Sequence, residues 1–328
     1  MMKLLVTGGL GFIGSNFILN ILKNYPDFTI TNIDAELYGS NHNNLNSINN
    51  SKNYRFVKGN ITDNSLIEKL IEDCEVVVNF AAESHVDRSI SNAKPFIDSN
   101  ILGTFTILEA LKNKKKKLLQ ISTDEVFGSL EQNSADENYR MNPSSPYAAS
   151  KASAELLVNS YAVTYEIDTV ITRCTNNYGP KQFPEKLIPK VIILAQQGKK
   201  IPVYGTGKNI RDWIFVDDHC DAITKVLLDG KSGSSYNVSA SNELDNLTII
   251  KKILEIMNRS VDNIEFVDDR PGHDFRYSLD STKIQTELQW SPKIRFEEGL
   301  EKTVKWYLEN EEWWKNISQE KLIPSWQK

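Results

Sequence analysis

The chain has 328 residues, a formal net charge of −5 and 40% hydrophobic residues, the composition of a globular protein with one large domain or two closely joined ones. The acidic balance argues against a nucleic-acid binder that works by neutralising phosphates. Cys74, Cys174 and Cys220 are odd in number and lack a Cys-x-x-Cys pair, which fits a reducing compartment and neither a disulfide framework nor a metal site. The first residues show no signal-peptide cleavage pattern and no apolar run reaches the length of a membrane span. The expected location is cytoplasmic.

Lys3 to Thr7 reads as a short apolar strand running into Gly8-Gly9-Leu10-Gly11-Phe12-Ile13-Gly14. The glycines fit Gly9-x-Gly11-x-x-Gly14 or Gly8-x-x-Gly11-x-x-Gly14, and either pattern opens a helix that runs to about Tyr25. Glycine permits a tight turn and brings backbone N–H groups close to a pyrophosphate, whose charge a helix N-terminus favours. A second strand, Thr29 to Ile33, ends in Asp34, about twenty residues past the last glycine, where a ribose diol would be held. No Arg follows Asp34, and its charge would repel a ribose phosphate. The expected cofactor is therefore NAD, not NADP. The competing reading is a glycine-rich strand–helix turn with a surface Asp.

Residues 35–53 are Asn-rich and read as an irregular loop. Tyr54 to Lys58 reads as a third strand, Asn64 to Glu72 as a helix, and Glu75 to Ala81 as a strongly apolar fourth strand. That strand ends in the polar cluster Ala81-Ala82-Glu83-Ser84-His85-Val86-Asp87-Arg88. A lone His is more often structural, but the position of His85 keeps it as a cofactor or substrate contact. A helix follows from about Phe96 to Lys112, and the cationic run Lys112 to Lys117 reads as its solvated end.

The apolar run Leu118 to Ile121 looks like a buried central strand, and it ends in Ser122, Thr123, Asp124 and Glu125. Open α/β sheets bind ligands at the carboxyl ends of such strands. Tyr147 and Lys151 are four apart at the start of a helical pattern, so they share one helix face. A tyrosine becomes a usable base when a nearby cation stabilises its phenolate. Thr169 to Cys174 reads as the next strand, ending in Thr175-Asn176-Asn177-Tyr178-Gly179-Pro180.

This alternation predicts an α/β, Rossmann-type, doubly wound parallel sheet over residues 1–175. Residues 176–328 read as a smaller, partly discontinuous α/β substrate-binding lobe, with a segment at about 213–235 returning to the first lobe. The expected elements there are a helix near Ile188 to Gln197, strands at Ile201 to Tyr204 and Trp213 to Val216, a helix over Leu247 to Met257, and an aromatic-rich helix from Phe296 to about Trp314. The cleft between lobes is the expected substrate site. Arg211 and Arg270 carry planar guanidinium groups suited to a second, substrate diphosphate.

The glycine motif, Tyr147-x-x-x-Lys151, Ala-Ala-Glu-Ser-His-Val-Asp-Arg-Ser (81–89), Ser-Thr-Asp-Glu-Val-Phe-Gly (122–128), Asn-Asn-Tyr-Gly-Pro-Lys-Gln-Phe-Pro-Glu-Lys-Leu-Ile-Pro (176–189), Arg-Asp-Trp-Ile-Phe-Val (211–216) and Arg-Pro-Gly-His-Asp (270–274) together resemble the extended short-chain dehydrogenase/reductase family of nucleotide-sugar enzymes, most closely its dehydratases. The resemblance implies an NAD-dependent loss of water from dTDP-glucose. A UDP-sugar 4,6-dehydratase, a UDP-sugar 4-epimerase or decarboxylase, and a non-catalytic NAD-binding regulator are the alternatives. It implies Tyr147 as the base at the sugar O4, supported by Lys151, with Thr123 hydrogen-bonding O4. Asp124 becomes the acid at O6 and Glu125 the base at C5.

For the cofactor the resemblance implies Gly8, Gly11, Phe12, Ile13, Gly14, Asp34, Asn60, Ile61, Ala81, Ala82, Ser84, Tyr147, Lys151 and Asn177. For the substrate it implies His85, Thr123, Asn176, Lys186, Leu187, Pro202, Tyr204, Arg211, Asn246, Arg270 and His273. Two positions depart from the family pattern: Phe127 stands where Tyr is usual, and Asn60 where an Asp often lies near the adenine. The implied partner is a nucleotide-diphosphate sugar, with neither nucleic acid nor membrane. A homodimer is also implied, through the helices around 96–112 and 146–166.

Overall fold

The computed structural model describes residues 2–315; residues 316–328 of the expected second lobe lie outside the described residues. Seven strands form the main sheet or feed it in turn: β1 (Lys3–Thr7), β2 (Thr29–Asp34), β3 (Tyr54–Lys58), β4 (Val76–Asn79), β5 (Lys117–Thr123) and β6 (Asp168–Cys174), with a later strand completing the set. After β6 come β7 (Asn176–Tyr178), β8 (Ile201–Tyr204), β9 (Ile210–Phe215), β10 (Ser234–Val238), β11 (Glu243–Asp245) and β12 (Ile264–Val267). The main sheet runs β3-β2-β1-β4-β5-β6-β10, and every pair in it is parallel. Helices cover both faces, so strands such as β4, buried at every residue, read as continuous apolar runs rather than alternating ones.

The principal helices are α1 (Phe12–Asn24), α2 (Asn64–Glu72), α3 (Gly103–Leu111), α4 (Pro146–Tyr165), α5 (Leu187–Gln196), α6 (Val216–Asp229) and α7 (Asn246–Ile256). On one face Phe17, Ile18 and Ile21 of α1 pack with Ile223, Val226 and Leu227 of α6 against Leu4, Val6 and Leu119. On the other, Ile67, Ile107, Leu108 and Val158 of α2, α3 and α4 pack against Leu5, Val77 and Ile171. The strand order reverses between β1 and β4. Chains leaving those two strands diverge to opposite faces and open a crevice at the sheet's carboxyl edge.

The remaining strands form a three-stranded sheet, β11-β9-β7, and a parallel β8–β12 pair. They share a second core with α5 and α7, built on Ile192, Trp213, Phe215, Ile250, Leu300 and Tyr307. The chain's return to the main sheet differs from the sequence reading: β9 stays in the small sheet, and α6 and β10 rejoin the large one, at 216–238.

Several elements depart from expectation for physical reasons. The fourth strand is not purely apolar: Thr7 Oγ1 donates to Asn79 Oδ1 at 2.6 Å and Asn79 Nδ2 donates to Gln120 Oε1 at 2.8 Å. This buried polar chain ties three strands together and is fully partnered, as burial demands. The expected 96–112 helix contains a π-helical turn, Ile97–Leu102. There Asn100 accepts from Glu83 N–H at 2.9 Å and donates to Glu83 O at 3.0 Å and to Ser150 Oγ at 2.8 Å. One amide thus satisfies the irregular backbone after β4 and pins α4. The aromatic tail helix breaks at Asn310 into Phe296–Glu309 and Glu311–Trp314. Among the described residues no helix is long and apolar enough to cross a membrane.

Candidate active site

The glycine turn uses the spacing Gly8-x-x-Gly11-x-x-Gly14. Gly8 has φ +69°, and a Cβ there would stand 2.7 Å from the Ala81 backbone, where β1 and β4 part. A Cβ on Gly14 would meet Gly8 O at 2.6 Å, so Gly14→Ala forces backbone apart. A side chain on Gly11 meets only Gly8 O, at 3.3 Å. Gly14→Ala is expected to cost about 1–3 kcal/mol of stability, the range for overpacking, and to weaken dinucleotide binding at least roughly tenfold. Gly11→Ala should cost much less stability, since its Cβ meets only Gly8 O at 3.3 Å. Thermal melting of the two variants checks this; equal losses of stability would contradict the assignment.

Gly11 is the N-cap of α1, no side chain caps that helix, and no acidic residue sits in its first turn. Its first N–H groups therefore remain available to an anion. Asp34 ends β2, as its pattern requires. Its carboxylate accepts from Leu10 N at 3.0 Å, Glu36 N at 2.8 Å and Ser40 Oγ at 2.8 Å. A carboxylate has about four acceptor positions, so one remains for a hydroxyl. Asn32, which sequence reasoning passed over, accepts from Gly9 N at 3.1 Å and fixes the turn.

Gly8, Gly11, Phe12, Ile13, Gly14, Asp34, Asn60, Ile61, Ala81, Ala82, Ser84, His85, Asn176, Asn177 and Lys186 line one cleft of about 310 Å³ together with Thr123, Asp124, Glu125, Tyr147 and Lys151. Asn60 Oδ1 is used locally, accepting from Thr62 N and Oγ1 at 3.0 Å. Asn177 is held by His219 Nδ1 at 2.8 Å and by Thr175 O at 3.0 Å. Lys186 Nζ donates to Ser84 O at 2.9 Å, bridging the segment before α5 to the end of β4.

Leu187, Pro202, Tyr204, Arg211, Asn246, Arg270 and His273 do not line that cleft wall. Leu187 and Asn246 begin α5 and α7, and Pro202 and Tyr204 lie on β8. Arg270 reaches Asp87 at 2.9 Å, and burial, then the same carboxylate, pushes the Tyr204 phenol up. His85 Nε2 stands 4.0 Å from Asp87 and 3.8 Å from Glu185, so these groups adjoin the cleft through Asp87. Arg211 stacks on the Tyr277 ring at 4.2 Å and donates to Asp274 O at 2.9 Å. His273 pairs with Asp269 at 2.6 Å.

The chemistry sits where β5 ends. Thr123 caps a single 3-10 turn, its hydroxyl accepting from Glu125 N at 3.3 Å, and the turn presents Asp124 and Glu125. Ser145 caps α4, accepting from Ala148 N at 3.1 Å, with Pro146 in the first position. That cap places Tyr147 in the first turn and Lys151 one turn on. Tyr147 lies beside Thr123, and burial, then Glu125, pushes its phenol well up. Lys151 Nζ donates to Ile121 O at 2.5 Å rather than to the phenol. Burial brings the Lys151 amine down to about 8, against the pull of Glu155.

Burial, then the Glu125 charge, raises Asp124 to about 8. Burial also raises Glu125, but the Arg270, Arg211 and Lys186 charges oppose that. The two carboxyls therefore form a coupled pair in unequal surroundings. His85 Nδ1, Ser122 Oγ and Asp124 Oδ2 are buried without a partner among the described residues. Such orphans in a cleft wall are what a polar ligand would satisfy. Sequence reasoning missed Tyr38, Arg88, Gln182, Phe183 and Glu185, which also line the cleft, and Tyr277, whose hydroxyl lies 3.5 Å from Glu125.

Residues 5–303 match the family model described as GDP-mannose 4,6 dehydratase. The chain belongs to that family. Within it, the chain is 49% identical over 312 residues to the low-salt glycan biosynthesis protein Agl12 of Haloferax volcanii, covering 95% of this chain and all of that one. It is 46% identical to a dTDP-glucose 4,6-dehydratase of Streptomyces niveus, covering 96% of each chain. Among solved structures it is similar to DesIV, a dTDP-glucose 4,6-dehydratase from Streptomyces venezuelae with NAD and TYD bound, at 42% identity and a TM-score of 0.95, covering 97% of this chain and 100% of that one.

Proposed function

We propose that the chain is an NAD-dependent hydro-lyase that converts dTDP-glucose to dTDP-4-keto-6-deoxyglucose. The observation that carries this reading is the adjacent Asp124–Glu125 pair with unequal surroundings, one raised to about 8 by burial and its neighbour, the other facing cations, beside Tyr147 and Thr123. The family relatives that carry the dTDP-glucose 4,6-dehydratase name support the choice of substrate.

Bound NAD supplies the acceptor for the C4 hydride and the donor that returns it to C6. The free first turn of α1, the Gly8–Gly14 cradle and the remaining acceptor position on Asp34 fit its pyrophosphate and ribose. Tyr147 takes the O4 proton, and Thr123 positions that oxygen. A ketone at C4 then acidifies the neighbouring C5–H, which no carboxylate could remove from the starting sugar. Glu125 takes the C5 proton while Asp124 delivers its own to the departing C6 hydroxyl. Glu125 returns its proton to C5 as C6 is reduced, and the proton taken up by Tyr147 replaces, through solvent, the one Asp124 gave up, so the balance is loss of one water. Asn176, Lys186, Arg211, Asn246, Arg270 and His273 are assigned to the nucleotide diphosphate, on the second lobe from residue 176 onward.

A 4-epimerase needs no proton removed from C5 and leaves the Asp124–Glu125 pair without a task. Incubating the purified protein with dTDP-glucose and with UDP-glucose, and following the mass of the sugar nucleotide, decides between them. Loss of the mass of one water from dTDP-glucose is expected. An isomer of unchanged mass, or turnover of UDP-glucose alone, would contradict the reading.

We further propose a homodimer working in the cytoplasm, where the buried free thiols Cys74, Cys174 and Cys220 stay reduced. Ile97, Leu102 and Phe105 on the π-turn and α3, with Leu156, Val163 and Tyr165 on α4, leave large apolar side chains exposed, the signature of a covered surface. Sedimentation velocity should give twice the chain mass of 37.3 kDa, with Leu156→Glu shifting it toward one.

A further inference from the structure

The loop between β2 and β3, irregular by sequence, closes over the cleft. Its near end is tied to Asp34 through Glu36 N and Ser40 Oγ, and Asn41 N donates to Leu10 O at 3.1 Å. The loop thus rides on the glycine turn, with Tyr38 held away from β2. The Tyr38 hydroxyl donates to the Glu185 carboxyl, 147 residues away. Its ring lies 3.7 Å beneath the Arg88 guanidinium and 5.0 Å from the Phe183 ring. Arg88 is itself fixed by Glu83 at 3.0 Å. The opposite wall is equally anchored: Asn16 Nδ2 donates to Pro180 O at 3.2 Å, and Lys186 holds Ser84 O.

Three segments that share no strand pairing therefore meet at one tyrosine beside the glycine turn and Asp34, all on the wall of one cleft. Nothing in the proton steps calls for this contact. We infer that Tyr38 and Glu185 are retention residues: their hydrogen bond, with the Arg88 and Phe183 packing, clasps the cleft shut over the dinucleotide and slows its departure. A hydride held on the cofactor between oxidation of C4 and reduction of C6 must not leave with it, which gives the clasp its use. This rests on the dinucleotide reading of the cleft and goes beyond the assignment of acid and base.

The test needs no substrate. Holoenzyme loaded with NAD is freed of unbound nucleotide by gel filtration, and protein-bound NAD is measured over time. Tyr38→Phe removes only the hydroxyl and keeps the ring between Arg88 and Phe183, so folding is preserved; Glu185→Gln replaces the carboxyl with an amide of the same shape. Each should speed NAD release about tenfold, as loss of a buried hydrogen bond acts mainly on the off-rate. The double variant should be no faster than the singles, because both break the same contact. Release at the wild-type rate in Tyr38→Phe overturns the inference, and so does a double variant whose effects multiply. A protein that releases NAD as expected yet does not dehydrate dTDP-glucose keeps the clasp and removes the proposed reaction instead.

Discussion

Tyr147→Phe is expected to lower turnover of dTDP-glucose by about 10²–10⁴-fold, the contribution of a positioned general base, while NAD remains bound at wild-type stoichiometry. The ring is buried and packs edge-on against Phe96, with centroids 6.2 Å apart, so removing the oxygen leaves the packing in place. What disappears is the hydroxyl beside Thr123 to which the O4 proton is assigned. Oxidation of C4 is the first chemical event, so no reduced cofactor should be seen by absorbance after substrate is added. Retained turnover in this variant would move the base elsewhere and undo the proposed cycle. Loss of NAD binding along with activity would assign Tyr147 to the cofactor alone.

The second large effect divides the carboxyl pair. Glu125→Gln should stop exchange of the C5 hydrogen with solvent deuterium, because no base reaches it. Asp124→Asn should keep that exchange while losing dehydration, because the C6 hydroxyl has no proton to leave with. Each should reduce overall turnover by about 10²–10⁴-fold. The pH dependence carries the same assignment. Asp124 is needed in its protonated form, and burial beside Glu125 holds it at about 8. Its contribution is therefore present below that pH and lost above it. Lys151, also brought to about 8 by burial, loses its charge over the same range, so both groups give an alkaline limb. Dehydration relative to C5 exchange should fall as pH rises through about 8, whereas Tyr147, whose phenol burial pushes up, gains its basic form with rising pH and opposes that fall in overall turnover. Exchange at C5 that persists in Glu125→Gln and vanishes in Asp124→Asn would reverse the two roles.

A buried ion pair behind the site shows how little of its support the sequence displays. Arg173 at the end of β6 grips Glu155 of α4 through Nε at 2.9 Å and Nη2 at 2.7 Å, with both side chains almost wholly buried. Glu155 lies one turn beyond Lys151 on the same helix face. Nothing in the local pattern around either residue sets it apart from an ordinary surface charge, since the pairing depends on β6 lying beside β5 and α4 crossing them.

What the sequence alone determined was everything with a short period or a fixed offset. The alternation of apolar strands and helices, the glycine turn with Asp34 at the next strand's end, the Thr123–Glu125 cluster closing β5 and the four-residue spacing of Tyr147 and Lys151 are all local. Backbone hydrogen bonding and helix pitch turn such spacings directly into geometry. Tertiary structure alone decided which groups face each other across long separations: Tyr38 with Glu185, Arg270 with Asp87, Asn100 with Glu83 and Ser150, and the cations that make Glu125 and Asp124 unlike. Those contacts arise from the order in which strands enter the sheet and from which loops meet above its reversal point. They leave no periodic trace, because burial and electric field at a residue depend on neighbours that the chain brings close only once it has folded.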